Sequence, residues 1–201
     1  MSGPPQPPTP SCSPSAQQSR SPVAAWLALF GTLVVAAIVV IGLVSVLRRA
    51  GREDPLTGLA NRRSFDERLE EELKRAQRTG AALSAVIIDL DRFKAINEAG
   101  GREAGDRLLR ALANAWQVAI RGGGDFLART GGDEFSLLAP GADAMNVRRL
   151  VKRLGDALPA GVPASIGFAT WDETESAADL LRRADQAMYQ TKQRRKGLRN
   201  A

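Results

Sequence analysis

The stretch Leu127-Ala-Arg-Thr-Gly-Gly-Asp-Glu-Phe-Ser-Leu-Leu138 constrains this chain more than any other. Apolar residues approach a Gly-Gly pair, two carboxylates follow, and apolar residues resume. Two strands joined by a tight turn read this way, because glycine supplies the positive φ that a hairpin turn requires. Such a turn carries Asp133 and Glu134 to the end of a sheet. Carboxylates held there are costly to bury unless something cationic meets them. A solvated hairpin tip would show the same pattern, but a second acidic strand end argues for more. Ala85-Val-Ile-Ile-Asp89 is an apolar strand that stops at an acid, with Asp91, read as a turn residue, two positions on. Two strands that deliver carboxylates to one sheet end make a hard-cation site of the kind Mg²⁺ uses beside substrate phosphates.

Composition narrows the chemistry. The 201 residues include no His, so no histidine base, proton relay or metal ligand is available. Cys12 is the single cysteine, which excludes an intramolecular disulfide and a cysteine-cluster metal site. No Gly-x4-Gly-Lys-Ser/Thr loop occurs, so any nucleotide is held in another way. The net charge is +6, yet aromatics are few and the basic residues scatter over predicted helices. That pattern argues against a nucleic-acid partner.

The chain divides into four parts. Residues 1–22 are rich in Pro, Ser and Gln and cannot bury enough apolar surface to offset chain entropy, so they read as a disordered tail. Val23 to Leu47 is an uncharged apolar run. As a helix it is roughly 37 Å long at about 1.5 Å per residue, longer than the roughly 30 Å hydrocarbon core, which predicts one transmembrane helix. Residues 48–53 form a short linker, and Arg48, Arg49 and Arg52 place the carboxyl-terminal side in the cytoplasm. Residues 54–200 form the folded domain. Asn61 caps a helix to about Arg78. A strand over 82–90, a helical turn near Phe93 to Glu98 and a helix from Arg102 to Ile120 come next. The hairpin, a helix from Asp143 to Leu158, a strand from Val162 to Thr170 and a last helix from Ser176 to about Arg194 complete it. This order predicts an α+β sandwich with helices flanking a mainly antiparallel sheet.

Gly131-Gly-Asp-Glu-Phe135 is the signature for which the GGDEF family is named, and other motifs of that family surround it. Asp54-Pro-Leu-Thr-Gly-Leu-Ala-Asn-Arg-Arg-Ser-Phe65, Asp89-Leu-Asp-Arg-Phe-Lys-Ala-Ile-Asn97, Gly105-Asp106, Ser165-Ile-Gly167 and Arg183 to Lys192 resemble the rest, in order. The resemblance runs from about Asp54 to Asn200. It implies a ferredoxin-like, nucleotidyl-cyclase palm sheet and a diguanylate cyclase, which condenses two GTP into cyclic di-GMP and releases pyrophosphate. It also implies two Mg²⁺ per site, with Mn²⁺ able to substitute, and a homodimer, since one domain binds one GTP. A cytoplasmic GTP pool agrees with the arginine cluster, placing the span in a bacterial inner membrane.

The resemblance also assigns residues. Asp89, Asp133 and the Leu90 carbonyl are implied metal ligands, with Glu134 beside the metal and the attacking hydroxyl. Asn97 and Asp106 match the pair that reads guanine, which offers a ring N–H and an amine to such groups. Phe93, Lys94 and Lys192 match phosphate-contacting positions, and Lys196 stands where the family has an arginine. Many members are inhibited by product at an Arg-x-x-Asp site. Here Arg121 and Asp125 have one residue too many between them, which predicts weak product inhibition or none. The alternative is a degenerate module that binds GTP or cyclic di-GMP and signals without turnover; an intact acidic signature argues against it.

Overall fold

The computed structural model describes residues 26, 30–31, 33–40, 51–120 and 124–200. Contacts divide the chain into Met1–Val46 and Leu47–Ala201. In the first unit, residues 33–40 are helical, and Leu33, Val35, Ile38, Val39 and Val40 are exposed. Most of the expected span, Val23 to Leu47, lies outside the described residues, as does the tail over 1–22. Among the described residues no helix is long and apolar enough to cross a membrane.

The second unit contains, in order, β1 (Ala60–Asn61), α1 (Arg62–Thr79), β2 (Leu83–Leu90), α2 (Phe93–Ala119), β3 (Phe126–Arg129), β4 (Glu134–Pro140), α3 (Ala144–Asp156), β5 (Ala164–Thr170) and α4 (Ala177–Asn200). The strands form one sheet in the order β1-β3-β4-β2-β5. The β3–β4, β4–β2 and β2–β5 pairs are antiparallel, whereas β1 runs parallel to β3. The expected sheet is therefore mainly antiparallel but mixed. Two residues of β1 are too short a run to announce themselves by alternation.

Helix starts follow side-chain chemistry. Asn61 accepts from the Ser64 amide at 3.1 Å, and Asp143 accepts from the amides of Met145 and Asn146. Each satisfies donors that the first turn leaves free. The two helices expected between Phe93 and Ile120 are present as the two arms of α2, which meet at a kink where the Gly101 backbone is not helical. Gly101 has φ 73° and ψ 168°, a combination that side-chain-bearing residues avoid. The folded domain also starts before Asp54. The Arg52 carbonyl accepts from the Asn61 amide and the Ser64 hydroxyl, and Glu53 bridges Ala60, so Gly51–Glu53 pack on the domain rather than serving as linker.

Strand alternation sorts the core onto two faces. Val86, Ile88 and Leu90 of β2 meet Leu112, Trp116, Val147 and Leu154 of α2 and α3. Leu83 and Ala85 meet Phe65, Leu69, Leu180 and Ala184 of α1 and α4. Trp116 is fully buried, stacks edge-on against Phe135 at 4.9 Å, and donates its indole N–H to the Leu154 carbonyl. Asp89, an odd-numbered residue of β2, therefore faces α4 at the end where β2 finishes and β4 begins.

Candidate active site

The carboxylates converge through strand register. Asp89 lies directly opposite Glu134 on β4 and opposite Ser165 on β5. The Leu90 amide donates to the Asp133 carbonyl at 3.2 Å, which ties the end of β2 to the acidic turn. The Leu90 side chain stays in the core, so only its backbone is available to the site. Asp89, Leu90, Asp133 and Glu134 are thus brought together.

The turn uses glycine differently from the expectation. Neither Gly131 nor Gly132 has positive φ. What Gly131 needs is space. A Cβ there would stand 2.7 Å from Glu134 Oε2 and 3.0 Å from Glu134 Cβ, so a side chain would push the carboxylate aside.

Cations meet these acids. Lys192 on α4 places its Nζ 2.6 Å from Asp89 Oδ1. Burial alone would lower the Lys192 pKa, but the Asp89 hydrogen bond and the charges of Asp89, Asp91 and Asp133 outweigh it, and the net shift is upward. Asp91 accepts from the Ser165 hydroxyl at 2.8 Å and faces Arg195 at 3.5 Å. Arg62 stands 3.6 Å from Glu134 and donates to the Thr130 carbonyl. Asp133 has no ion pair among the described residues.

These residues fit a hard cation. The donors are all oxygen, and a lysine ammonium already sits on Asp89 within the field of Asp91 and Asp133. Among the described residues no three acids converge closely enough to enclose a metal unaided. A Mg²⁺ held by Asp89, Asp133 and the Leu90 carbonyl would complete its shell with phosphate oxygens and water, which is its usual habit.

A second polar feature lies on α2. Asn97 Oδ1 is buried and has no hydrogen-bond partner. It points at Gly105, where a Cβ would come within 1.9 Å of it and 2.9 Å of Phe93 Cζ. An orphaned buried acceptor costs about 1–3 kcal/mol, so its retention asks for a ligand that donates. Asp106 follows Gly105 and is half-buried.

Two expected residues are not gathered in. Lys94 is exposed and pairs with Glu98 at 3.7 Å. Lys196 is exposed, and its neighbour Arg195 reaches the acid segment instead. Arg121 lies outside the described residues. Asp125 is half-buried; burial raises its pKa, and the charge of Arg153 on α3 opposes the shift.

Other residues escaped the sequence reading. Arg129 donates to both Asp54 oxygens, at 3.0 and 3.1 Å, and to the Gly132 carbonyl at 2.6 Å. It straps the acidic turn to the loop before β1, where Asp54 also accepts from the Thr57 amide and hydroxyl. Burial would raise the Asp54 pKa, but these bonds from Thr57 and Arg129 prevail and lower it. The signal was present: an arginine beside a buried strand position needs a partner.

A mixed five-stranded sheet between two helical layers, with two acidic strand ends at one edge, defines the α+β GGDEF fold. Residues 52–197 match the family described as diguanylate cyclase, GGDEF domain, and the chain belongs to that family. It is 37% identical over 155 residues to the diguanylate cyclase DgcP of Pseudomonas aeruginosa, covering 72% of this chain and 23% of that protein. It is 38% identical over 165 residues to the diguanylate cyclase TpbB of the same species, covering 76% of this chain and 38% of that protein. The chain thus spans less than half the length of either relative. Among solved structures, the coiled coil and GGDEF domain of DgcB from Caulobacter crescentus, in complex with c-di-GMP, is similar with a TM-score of 0.78. It has 26% identity and covers 84% of this chain and 95% of that one. The diguanylate cyclase SiaD of Pseudomonas aeruginosa, in complex with its activator SiaC, gives a TM-score of 0.68 at 31% identity, covering 85% and 69%.

Proposed function

We propose that the chain is a diguanylate cyclase that joins two GTP into cyclic di-GMP. The observation that carries this reading is the register pair Asp89–Glu134 with Asp133 bonded beside it. Asn97 Oδ1 and Asp106 would read guanine: the orphaned acceptor takes a donor, and the carboxylate takes the N–H and amine of that base. Adenine would set an acceptor against Asp106. Lys192 would meet the phosphates. Each 3′-oxygen forms a bond to the α-phosphorus of the facing GTP, and the bond from that phosphorus to the β-phosphate bridging oxygen breaks. The 3′-hydroxyl proton passes to Glu134, which lies half-exposed at the strand end. When bound, Mg²⁺ would neutralise the charge that gathers on the reacting phosphates. Two such half-sites must face each other, so the working unit is a homodimer. Full-length chain with GTP and Mg²⁺ should yield cyclic di-GMP, and Asp133→Ala should yield none. GTP binding without product in the unmutated chain would instead support a non-catalytic binding module.

The reading includes a membrane anchor in the bacterial inner membrane with the folded domain in the cytoplasm. The uncharged run Val23 to Leu47, the arginines after it and the exposed apolar side chains within 33–40 support it. Resistance of the chain to alkaline extraction from membranes is the test; release into the soluble fraction would refute it. Product feedback should be weak, because Arg121 and Asp125 are offset. Initial turnover against added cyclic di-GMP measures it, and strong inhibition lost in Arg121→Ala would overturn the expectation.

A further inference from the structure

The carboxylates of the site already hold protein cations. Lys192 and Arg195 lie three residues apart on α4, hence on one helix face, and reach Asp89 and Asp91 respectively. The placement is rigid at its root. A Cβ on Gly167 of β5 would come within 1.9 Å of the Met188 amide nitrogen, so helix and strand are in backbone contact. Thr191 adds hydrogen bonds to the carbonyls of Ile166 and Ala187. Helix α4 is thereby held where Lys192 can cross β5 to Asp89 on β2. With Lys192 in place, Asp89 is only 8% exposed.

We propose that Lys192, assisted by Arg195 on neighbouring Asp91, is a resident counterion that occupies the metal-binding carboxylate of Asp89 until nucleotide arrives. The proposal rests on the metal assignment of the preceding section, but not on turnover. An ammonium and a divalent cation cannot both sit on Asp89 Oδ1. A triphosphate offers Lys192 a stronger anionic partner, and its departure frees Asp89 for the metal that the same phosphates help to hold. Metal and nucleotide therefore load together. By linkage each raises the affinity of the other by the same factor. Metal alone binds weakly, because its apparent affinity is scaled down by the fraction of time that Asp89 is free.

The test uses full-length chain in detergent, with Mn²⁺ as the probe and its bound fraction read by electron paramagnetic resonance. In the unmutated chain, Mn²⁺ affinity should rise at least about tenfold when the α,β-methylene analogue of GTP is present, after correction for Mn²⁺ held by free analogue. Lys192→Met should bind Mn²⁺ without nucleotide about tenfold more tightly than the unmutated chain, with a smaller gain in Arg195→Met. The gain should vanish in Lys192→Met combined with Asp89→Asn. Equal Mn²⁺ affinity with and without the analogue in the unmutated chain overturns the proposal, whatever the variants do. So does an unchanged nucleotide-free affinity in folded Lys192→Met. Because no product is measured, a chain that fails to make cyclic di-GMP yet shows these shifts would sink the cyclase reading and leave this one standing.

Discussion

The two ends of the central sheet handle buried polar groups in opposite ways. At the end where β2 begins, Ser84 is fully buried and its hydroxyl meets both the Ala142 carbonyl and the Thr170 hydroxyl at 2.8 Å. The exception at this end is Arg68 Nε, buried without a partner on a guanidinium whose Nη2 pairs with Glu72 at 2.8 Å. At the end where β2 finishes, Asn97 Oδ1 has no partner, Asp133 has no ion pair among the described residues, and Asp89 is neutralised by a long lysine from another element. Folding alone would favour the first arrangement, since a buried group without a partner loses its hydration for nothing. The difference teaches that the charges of one end are met locally, Arg68 by Glu72 on the same helix, whereas the acids and the free amide oxygen of the other end are left for a distant lysine or a ligand.

The sharpest way to break that contrast is at Asp89. Asp89→Ala should lower cyclic di-GMP synthesis by at least about 100-fold, the scale seen when one stabiliser of transition-state charge is lost. Circular dichroism should remain that of the folded chain. Near-normal turnover would show that Asp89 is only the anchor of Lys192. Asn97→Ala comes next. It should weaken GTP binding about tenfold, which is about 1.4 kcal/mol, while leaving the thermal midpoint nearly unchanged. A large fall in the midpoint would mean that Oδ1 is satisfied inside the protein and that the two ends do not differ. The smallest effect is expected at Ser84. Ser84→Ala should cost about 1 kcal/mol in denaturant unfolding and leave kcat and KM alone. A changed kcat would mean that the far end is coupled to the chemistry.

Much of this was legible in the chain itself. The cap at Asn61, the order of helices and strands, and the two acidic strand ends all follow from local periodicity and residue chemistry. Local rules act over a few residues, and these features are decided over a few residues. The two residues of β1 became a strand only because β3 was there to receive them. The role of Gly131 could not be read locally either: positive φ is a property of a turn, but the crowding that excludes a side chain comes from Glu134 folding back over it.

Long-range pairing decided the rest. Arg129 finds Asp54 across 75 positions, Lys192 finds Asp89 across 103, and Arg195 rather than Lys196 finds Asp91. One residue along a helix turns a side chain by roughly 100°, so neighbouring cations of equal charge separate into one that faces the site and one that faces water. Sequence by itself determined that acids would gather at a sheet end and that cations would be near. Tertiary structure alone decided which cation meets which acid, because that depends on how closely α4 is drawn onto β5, a distance set by the missing side chain of Gly167.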